Sequence, residues 1–139
     1  MKKREPISKI MTKSVITANI NDSLHEVKHQ LSKHKIRHIP ILRGKDLVGI
    51  LSHNDIMRLS FGTVFDGQED ADDAIFDMLS IPQVMAHNPR TVLESDTIQD
   101  VAQVFAAEHF HALPVLDQDG ILVGIVTTTD VIKYLLELY

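Results

Sequence analysis

Two heptapeptides carry the residues best suited to binding chemistry, Gly49-Ile50-Leu51-Ser52-His53-Asn54-Asp55 and Gly124-Ile125-Val126-Thr127-Thr128-Thr129-Asp130. In each, an apolar strand-like stretch gives way to a hydroxyl residue with a carboxylate three positions on. That spacing caps a helix: the hydroxyl accepts from the backbone N–H of the third helical residue and the carboxylate reaches back. Capping alone makes no demand on the position three residues earlier, where a glycine inside a strand costs stability. A glycine there permits close backbone approach, and a hydroxyl beside free helix N–H groups forms a seat for an anion. A carboxylate next to that seat can accept both hydroxyls of a ribose. The competing account is a pair of good helix starts, since Ser23-x-x-Glu26 and Thr97-x-x-Asp100 show the same cap.

The elements that must position these heptapeptides also occur twice. Residues from Met11 to Leu59 align with those from Met85 to Tyr134, at an offset of 74 positions through Leu42 and Leu116 and of 75 from Leu47 and Leu122 onward. The extra residue falls in a turn, where Arg43-Gly44-Lys45-Asp46 faces Asp117-Gln118-Asp119-Gly120-Ile121. In the first copy, Val15 to Ala18 is β-prone, and Leu24, Val27 and Leu31 form a helical stripe ending near His34. Ile36 to Leu42 and Leu47 to Leu51 are strands around a Gly44 turn, and Ser52 opens a helix carrying Ile56, Met57 and Leu59. The second copy repeats this with a helix bearing Ile98, Val101, Ala102 and Phe105, strands at Phe110 to Leu116 and Ile121 to Val126, and a last helix with Val131, Ile132, Leu135 and Leu136. Each copy is β-α-β-β-α, giving an α+β protein. One copy is too small to close a core alone.

These readings place repeat one at 1–60, an acidic linker at 61–80 and repeat two at 81–139. Within the linker, Phe61 to Phe65 reads as irregular. Glu69 to Leu79 reads as a helix with Ala71, Ile75, Met78 and Leu79 inward and Asp70, Asp72, Asp73 and Asp77 outside; acids near its start suit the helix dipole.

The chain of 139 residues has room for one core but not for a catalytic domain plus a regulator. It contains no apolar run of membrane-spanning length and no secretion signal, so the cytoplasm is expected. Zero cysteines exclude disulfides and thiolate chemistry. The net charge of −5 conceals an asymmetry: residues 1–60 hold twelve of the fourteen Lys and Arg, while 81–139 hold two bases against eight acids. A basic first repeat suits an anionic ligand or partner, and equally an uneven solvated face. No nucleic-acid-binding motif is present.

Other clusters are weaker. His25 and His29 share a helix face with His34 and His38 nearby, but no carboxylate groups with them in sequence, so solvated histidines are the better account than a metal site. Met11, Met57, Met78 and Met85 read as gap-filling residues. No nucleophile, base and acid stand at a defined spacing, so catalysis is not expected.

The combination of an x-Pro-Ile/Val-Leu strand, Leu-Val-Gly-Ile, and Ser/Thr-x-x-Asp, twice at matching spacing over residues 7 to 136, resembles a tandem pair of CBS domains, or Bateman module, of the stand-alone bacterial type. The resemblance implies two repeats packed with pseudo-two-fold symmetry and two clefts between them that take adenosine derivatives. AMP, ADP and ATP stand ahead of S-adenosylmethionine, NAD and a cyclic dinucleotide. It also implies regulation by that ligand and assembly as a homodimer.

Carried over residue by residue, the resemblance implies two composite sites. In one, Asp130 holds the ribose, Thr127 faces phosphate, and Ile125, Met11, Ile16 and Ile36 enclose the base. In the other, Asp55 and Ser52 take those roles with Ile50, Met85, Arg90 and Phe110. Basic residues expected just before the second-strand proline are Arg37 and His38 in repeat one, against His111 and Ala112 in repeat two. Charge-assisted contacts to phosphate are the stronger kind, so the Asp55 site ranks first for a phosphorylated ligand.

The leading reading is a regulatory module that binds an adenine nucleotide and signals to a protein partner, without metal, nucleic acid or membrane. The alternative is a ligand-independent dimerisation scaffold. Apolar Val131, Ile132, Leu135, Leu136 and Leu138 exceed what one short helix buries, which marks an interface.

Overall fold

The computed structural model describes residues 4–64 and 69–139, with side chains described outside 60–73. They form two compact units, one of Ile16–Asn88 and one of Pro89–Tyr139 together with the segment that ends at Val15.

In the Ile16–Asn88 unit a four-stranded sheet has the order β1-β2-β3-β4, formed by β1 (Ala18–Asn19), β2 (His38–Arg43), β3 (Asp46–Ser52) and β4 (Ala86–His87). β1 runs parallel to β2, and the other pairs are antiparallel. Pro40 lies outside the β1 register, which begins at Ile41, so its missing N–H leaves no gap in that ladder. Helix α1 (Leu24–Lys33) starts where Ser23 Oγ accepts the Glu26 N–H at 3.1 Å. It buries Leu24, Val27 and Leu31 against Ile39, Ile41 and Leu51 of the sheet.

Helix α2 (His53–Val64) continues four residues into the segment expected to be irregular. Gly62 does not break it, because a single helix-interior glycine costs only about 1 kcal/mol; Phe65 and Gly67 lie outside the described residues. Helix α3 (Glu69–Met78) confirms the linker helix but turns another face inward. Met78, expected inside, is 80% exposed, and Phe76, absent from the expected stripe, is 2% exposed. Its ring meets the His25 ring edge-on at 5.5 Å with Lys28 Nζ 5.2 Å from its centroid. His25 Nε2 lies 2.8 Å from Asp77 Oδ1, a carboxylate that local spacing did not group with the histidines. Ala71 and Asp70, Asp72 and Asp73 lie outside the described side chains. A one-turn helix, α4 (Ile81–Val84), leads into β4.

The other unit repeats the plan with β5 (Val92–Leu93), α5 (Ile98–Ala107), β6 (Ala112–Leu116), β7 (Leu122–Thr127) and α6 (Thr128–Glu137). Its sheet has the order β5-β6-β7, and Thr12 bridges Ile125 where Ala86 pairs with Ile50 in the first unit. Phe110 and Ile121, expected in strands, lie just outside β6 and β7 and are exposed. Gly44 and Gly120 take positive φ in the two hairpin turns, and the strand register shifts at Ile41/Leu42 in one copy and at the equivalent Val115/Leu116 in the other. Ile7, Val92, Val101, Leu113, Val115, Val126 and Val131 form the core.

Both units are therefore β-α-β-β-α repeats whose edge strand comes from elsewhere in the sequence. The segment before Val15 belongs with the second repeat, held by Ile7 N–H donating to Asp96 at 2.7 Å, Ile98 N–H to Glu5 at 2.8 Å and Thr12 N–H to Ile125 at 2.8 Å. Met85–Asn88 belongs with the first repeat. The compact units thus cross the boundaries drawn at 1–60 and 81–139.

Candidate functional site

The two heptapeptides fold alike. Ser52 Oγ accepts the Asp55 N–H at 3.0 Å while Asp55 Oδ2 accepts the Ser52 N–H at 2.9 Å. Thr127 and Asp130 exchange the same pair of bonds at 3.1 and 2.9 Å. Each carboxylate thus has one oxygen committed to the cap, leaving the other for a further contact. In Asp55 that oxygen, Oδ1, lies 3.5 Å from Arg58 on the exposed side of α2.

The first N–H of each helix is also taken. His53 donates to the Arg37 carbonyl at 2.7 Å, and Thr128 donates to the His111 carbonyl at 3.0 Å. With the third N–H bound to the hydroxyl, the expected row of free donors shrinks. Among the described residues, only the Asn54 and Thr129 amides remain unclaimed between these two in each first turn. The same bonds have a positive consequence: they pin Arg37 beside the α2 start and His111 beside the α6 start. The strand register adds His38 opposite Ser52, and Ala112 opposite Thr127. Ser52, Asp55, Arg37 and His38 are therefore gathered in one unit by local bonding.

The glycines have a different role from the expected one. A Cβ on Gly49 would strike the Met85 sulfur and lie 3.0 Å from the Ala86 carbonyl oxygen. On Gly124 it would strike the Met11 sulfur, again 3.0 Å from a carbonyl oxygen, that of Thr12. The close approach is thus made by the chain itself. Met85, expected to line a ligand site, is a core residue at 6% exposure, and Met11 packs half-buried on the other core.

The remaining expected residues divide between the two units. Ile50 and Ile125 are half-buried at equivalent places in β3 and β7, and Ile16 and Ile36 pack on the core of the Ile16–Asn88 unit. Arg90, Phe110 and His111 belong to the other unit. The Arg90 guanidinium is 3.8 Å from Glu108 Oε2, an ion-pair partner that its sequence position did not suggest.

Asp130 also borders an open groove of ≈ 640 Å³ with Glu5, Lys9, Lys133, Tyr134 and Leu138. Tyr134 Oη donates a short hydrogen bond to Glu5, whose other oxygen accepts from Lys9 Nζ at 2.6 Å. Hydrogen bonding to the Glu5 carboxylate raises the Tyr134 phenol above its ordinary value of 10.0, helped by burial and by the charges of Glu5 and Glu137. The Glu5–Tyr134 pair joins residues 129 positions apart, so no local pattern could signal it. No group of three or more His, Asp or Glu side chains able to hold a metal exists among the described residues.

The duplicated cap, the exchanged edge segment and the methionine-covered glycine define a repeat matched by the family model described as the CBS domain, at residues 7–62 and 81–137. The chain belongs to the CBS domain family. It is a tandem CBS pair. It is 26% identical over 131 residues to the uncharacterized protein MJ1225 of Methanocaldococcus jannaschii, covering 94% of this chain and 47% of that protein. The crystal structure of that protein superposes with a TM-score of 0.81 over 97% of this chain and 49% of the other. This CBS pair thus spans about half the length of that relative. A CBS domain-containing protein of Dictyostelium discoideum is 26% identical over 134 residues, covering 94% of this chain and 91% of the relative. The CBS domain pair of protein MJ0100, crystallised in complex with 5′-methylthioadenosine and S-adenosyl-L-methionine, is 27% identical with a TM-score of 0.79, covering 96% and 98% of the two chains. Likeness to archaeal and Dictyostelium proteins does not single out a bacterial type. No helix among the described residues is long and apolar enough to cross a membrane.

Proposed function

We propose that this CBS pair is a cytoplasmic regulatory module that binds an adenosine-containing ligand, works as a homodimer, and passes the ligand's state to a protein partner. The observation that carries the reading is the duplicated helix start, with a ribose-competent carboxylate fixed beside a hydroxyl and Arg37 or His111 pinned next to it. The complex of the MJ0100 pair with two adenosine derivatives supports the ligand class.

Charge ranks the two positions. Arg37 and His38 stand at the start of α2, whereas α6 begins beside His111 and Ala112; Arg58 and Lys133 occupy equivalent places and do not distinguish the two. A phosphorylated ligand such as AMP, ADP or ATP is therefore assigned to Asp55, and a ligand without phosphate, such as S-adenosylmethionine, fits the less basic Asp130 position. The resemblance sets each ligand against both repeats, so binding changes the balance between their arrangements by differential affinity.

The test is isothermal titration of AMP, ADP, ATP and S-adenosylmethionine into the wild type, Asp55→Asn and Asp130→Asn. Asparagine retains a cap acceptor while removing the charge. We expect Asp55→Asn to weaken AMP at least tenfold more than Asp130→Asn does. Equal losses overturn the ranking. Absence of any binding, with no nucleotide retained in native mass spectra, overturns the ligand reading in favour of a scaffold.

A further inference from the structure

The chain has no cysteine, so its oxidisable sulfurs are thioethers. Among the described methionines, Met57 and Met78 stand largely in solvent at 49% and 80% exposure, and Met85 is shielded in the core at 6%. Met11 differs from all three. It is half-buried, next to the exposed Thr12, and packs on the core of the second repeat. Its sulfur lies so close over Gly124 that a Cβ there would stand 2.5 Å from it. Thr12 joins Ile125 by two backbone bonds, its N–H donating at 2.8 Å and its carbonyl accepting at 3.0 Å. This bridge is a single residue pair, whereas β4, the equivalent segment of the other unit, pairs through both Ala86 and His87.

We infer that Met11 is a modification site: hydrogen peroxide converts its thioether to the sulfoxide, and this releases the edge of the second repeat at Thr12. In the step a sulfur lone pair attacks one peroxide oxygen. The S–O bond forms as the O–O bond breaks, and the other oxygen leaves as water after proton transfer. Sulfur loses two electrons and the peroxide gains them. The sulfoxide is polar, and its oxygen needs a hydrogen-bond donor. The Thr12 and Ile125 amides are bonded to each other's carbonyls and the Met11 amide to the Ile7 carbonyl, so these neighbouring donors are taken and water must serve. The side chain then turns out of its place over Gly124, and the single bridge beside it loses its cover. Release stops short of Ile7, which is fully buried and whose N–H donates to Asp96 at 2.7 Å. A thiol-dependent sulfoxide reductase restores the thioether, so the change is reversible. The inference requires no ligand.

The test treats the full chain with hydrogen peroxide, follows each methionine by peptide mass spectrometry, and then measures amide exchange. Met78 and Met57 should react first, and Met11 at least about fivefold faster than Met85, in the order of their exposure. Once Met11 is oxidised, the Thr12 and Ile125 amides should exchange roughly tenfold faster, while those of Ile7 and Ile98 hold. Met11→Leu, close in volume, should keep the slow exchange after the same treatment. Reductases for both sulfoxide epimers, with dithiothreitol, should restore it in the wild type. Met11 reacting no faster than Met85 overturns the site. Unchanged exchange at Thr12 and Ile125 after full oxidation of Met11 overturns the release. The same acceleration in Met11→Leu also overturns it, by tracing the effect to another methionine. The rate ratio and the reversal are read in the wild type and do not depend on the variant folding.

Discussion

The Met85 side chain lies directly over the α-carbon of Gly49, as Met11 does over Gly124. Because both methionines come from segments entering the sheet from the other half of the sequence, the glycine is where each repeat admits its borrowed strand. Met85 is core and has nowhere to move, whereas Met11 is half-buried. Gly49→Ala should therefore destabilise by about 1–3 kcal/mol through overpacking, and Gly124→Ala by less. Urea midpoints of the two variants check the order.

Met85→Ala removes a buried side chain and should cost about 2–5 kcal/mol. In a Gly49→Ala background it should cost less, because the new methyl group occupies part of the vacated space. A double-mutant cycle by urea denaturation reads this coupling, and strict additivity would show that the two residues do not share the space.

The caps are separable from ligand binding. Ser52→Ala and Thr127→Ala each remove a side-chain acceptor for a first-turn N–H and should cost about 1 kcal/mol. Asp55→Asn should stay within about 0.5 kcal/mol of the wild type, since the amide oxygen still accepts the Ser52 N–H. Urea denaturation of ligand-free protein measures all three.

Tyr134 supplies an alkaline signature. Its folded value is raised above that of the unfolded chain, so the neutral phenol is favoured by folding. This contribution is complete below the unfolded value near 10.0 and is lost as pH rises through the higher folded value. Ultraviolet titration of a Tyr139→Phe variant, which leaves Tyr134 as the single phenol, should show a midpoint above 10.0. Adding Glu5→Gln should move that midpoint down by removing the carboxylate that accepts its proton.

Phe76 fixes the linker helix. Phe76→Ala should destabilise by about 3–5 kcal/mol and raise amide exchange along α3 ahead of β2 and β3. Exchange confined to its last turn would show that the helix is held elsewhere.

Several elements were legible because their causes are local. Ser23, Ser52, Thr97 and Thr127 bond to backbone three residues away, so their spacing alone announced four helix starts. The strands of the two hairpins were legible from apolar runs around a turn, and Gly44 and Gly120 take the positive φ that such turns favour. Helix α3 was legible as a helix but not in its rotation. Phe76, not Met78, faces inward because His25 and Lys28 of α1 receive its ring. Arg90 was legible as a member of the Asp55 site by resemblance, whereas its ion-pair partner Glu108, 18 positions on, was not.

By itself, the sequence determined the duplication, the β-α-β-β-α order, the capped carboxylates Asp55 and Asp130, and the unequal neighbours Arg37-His38 and His111-Ala112. The element order and the capped carboxylates follow from bonds or periodicities spanning a few residues, and the duplication and the unequal neighbours from setting the two copies side by side. Only the tertiary structure decided that the segment before Val15 completes the second repeat and Met85–Asn88 the first, because those pairings are backbone bonds between residues distant in the chain. That exchange also changed what the glycines are for. A strand glycine shows only that something comes close, and here the close neighbours are Met85 and Met11.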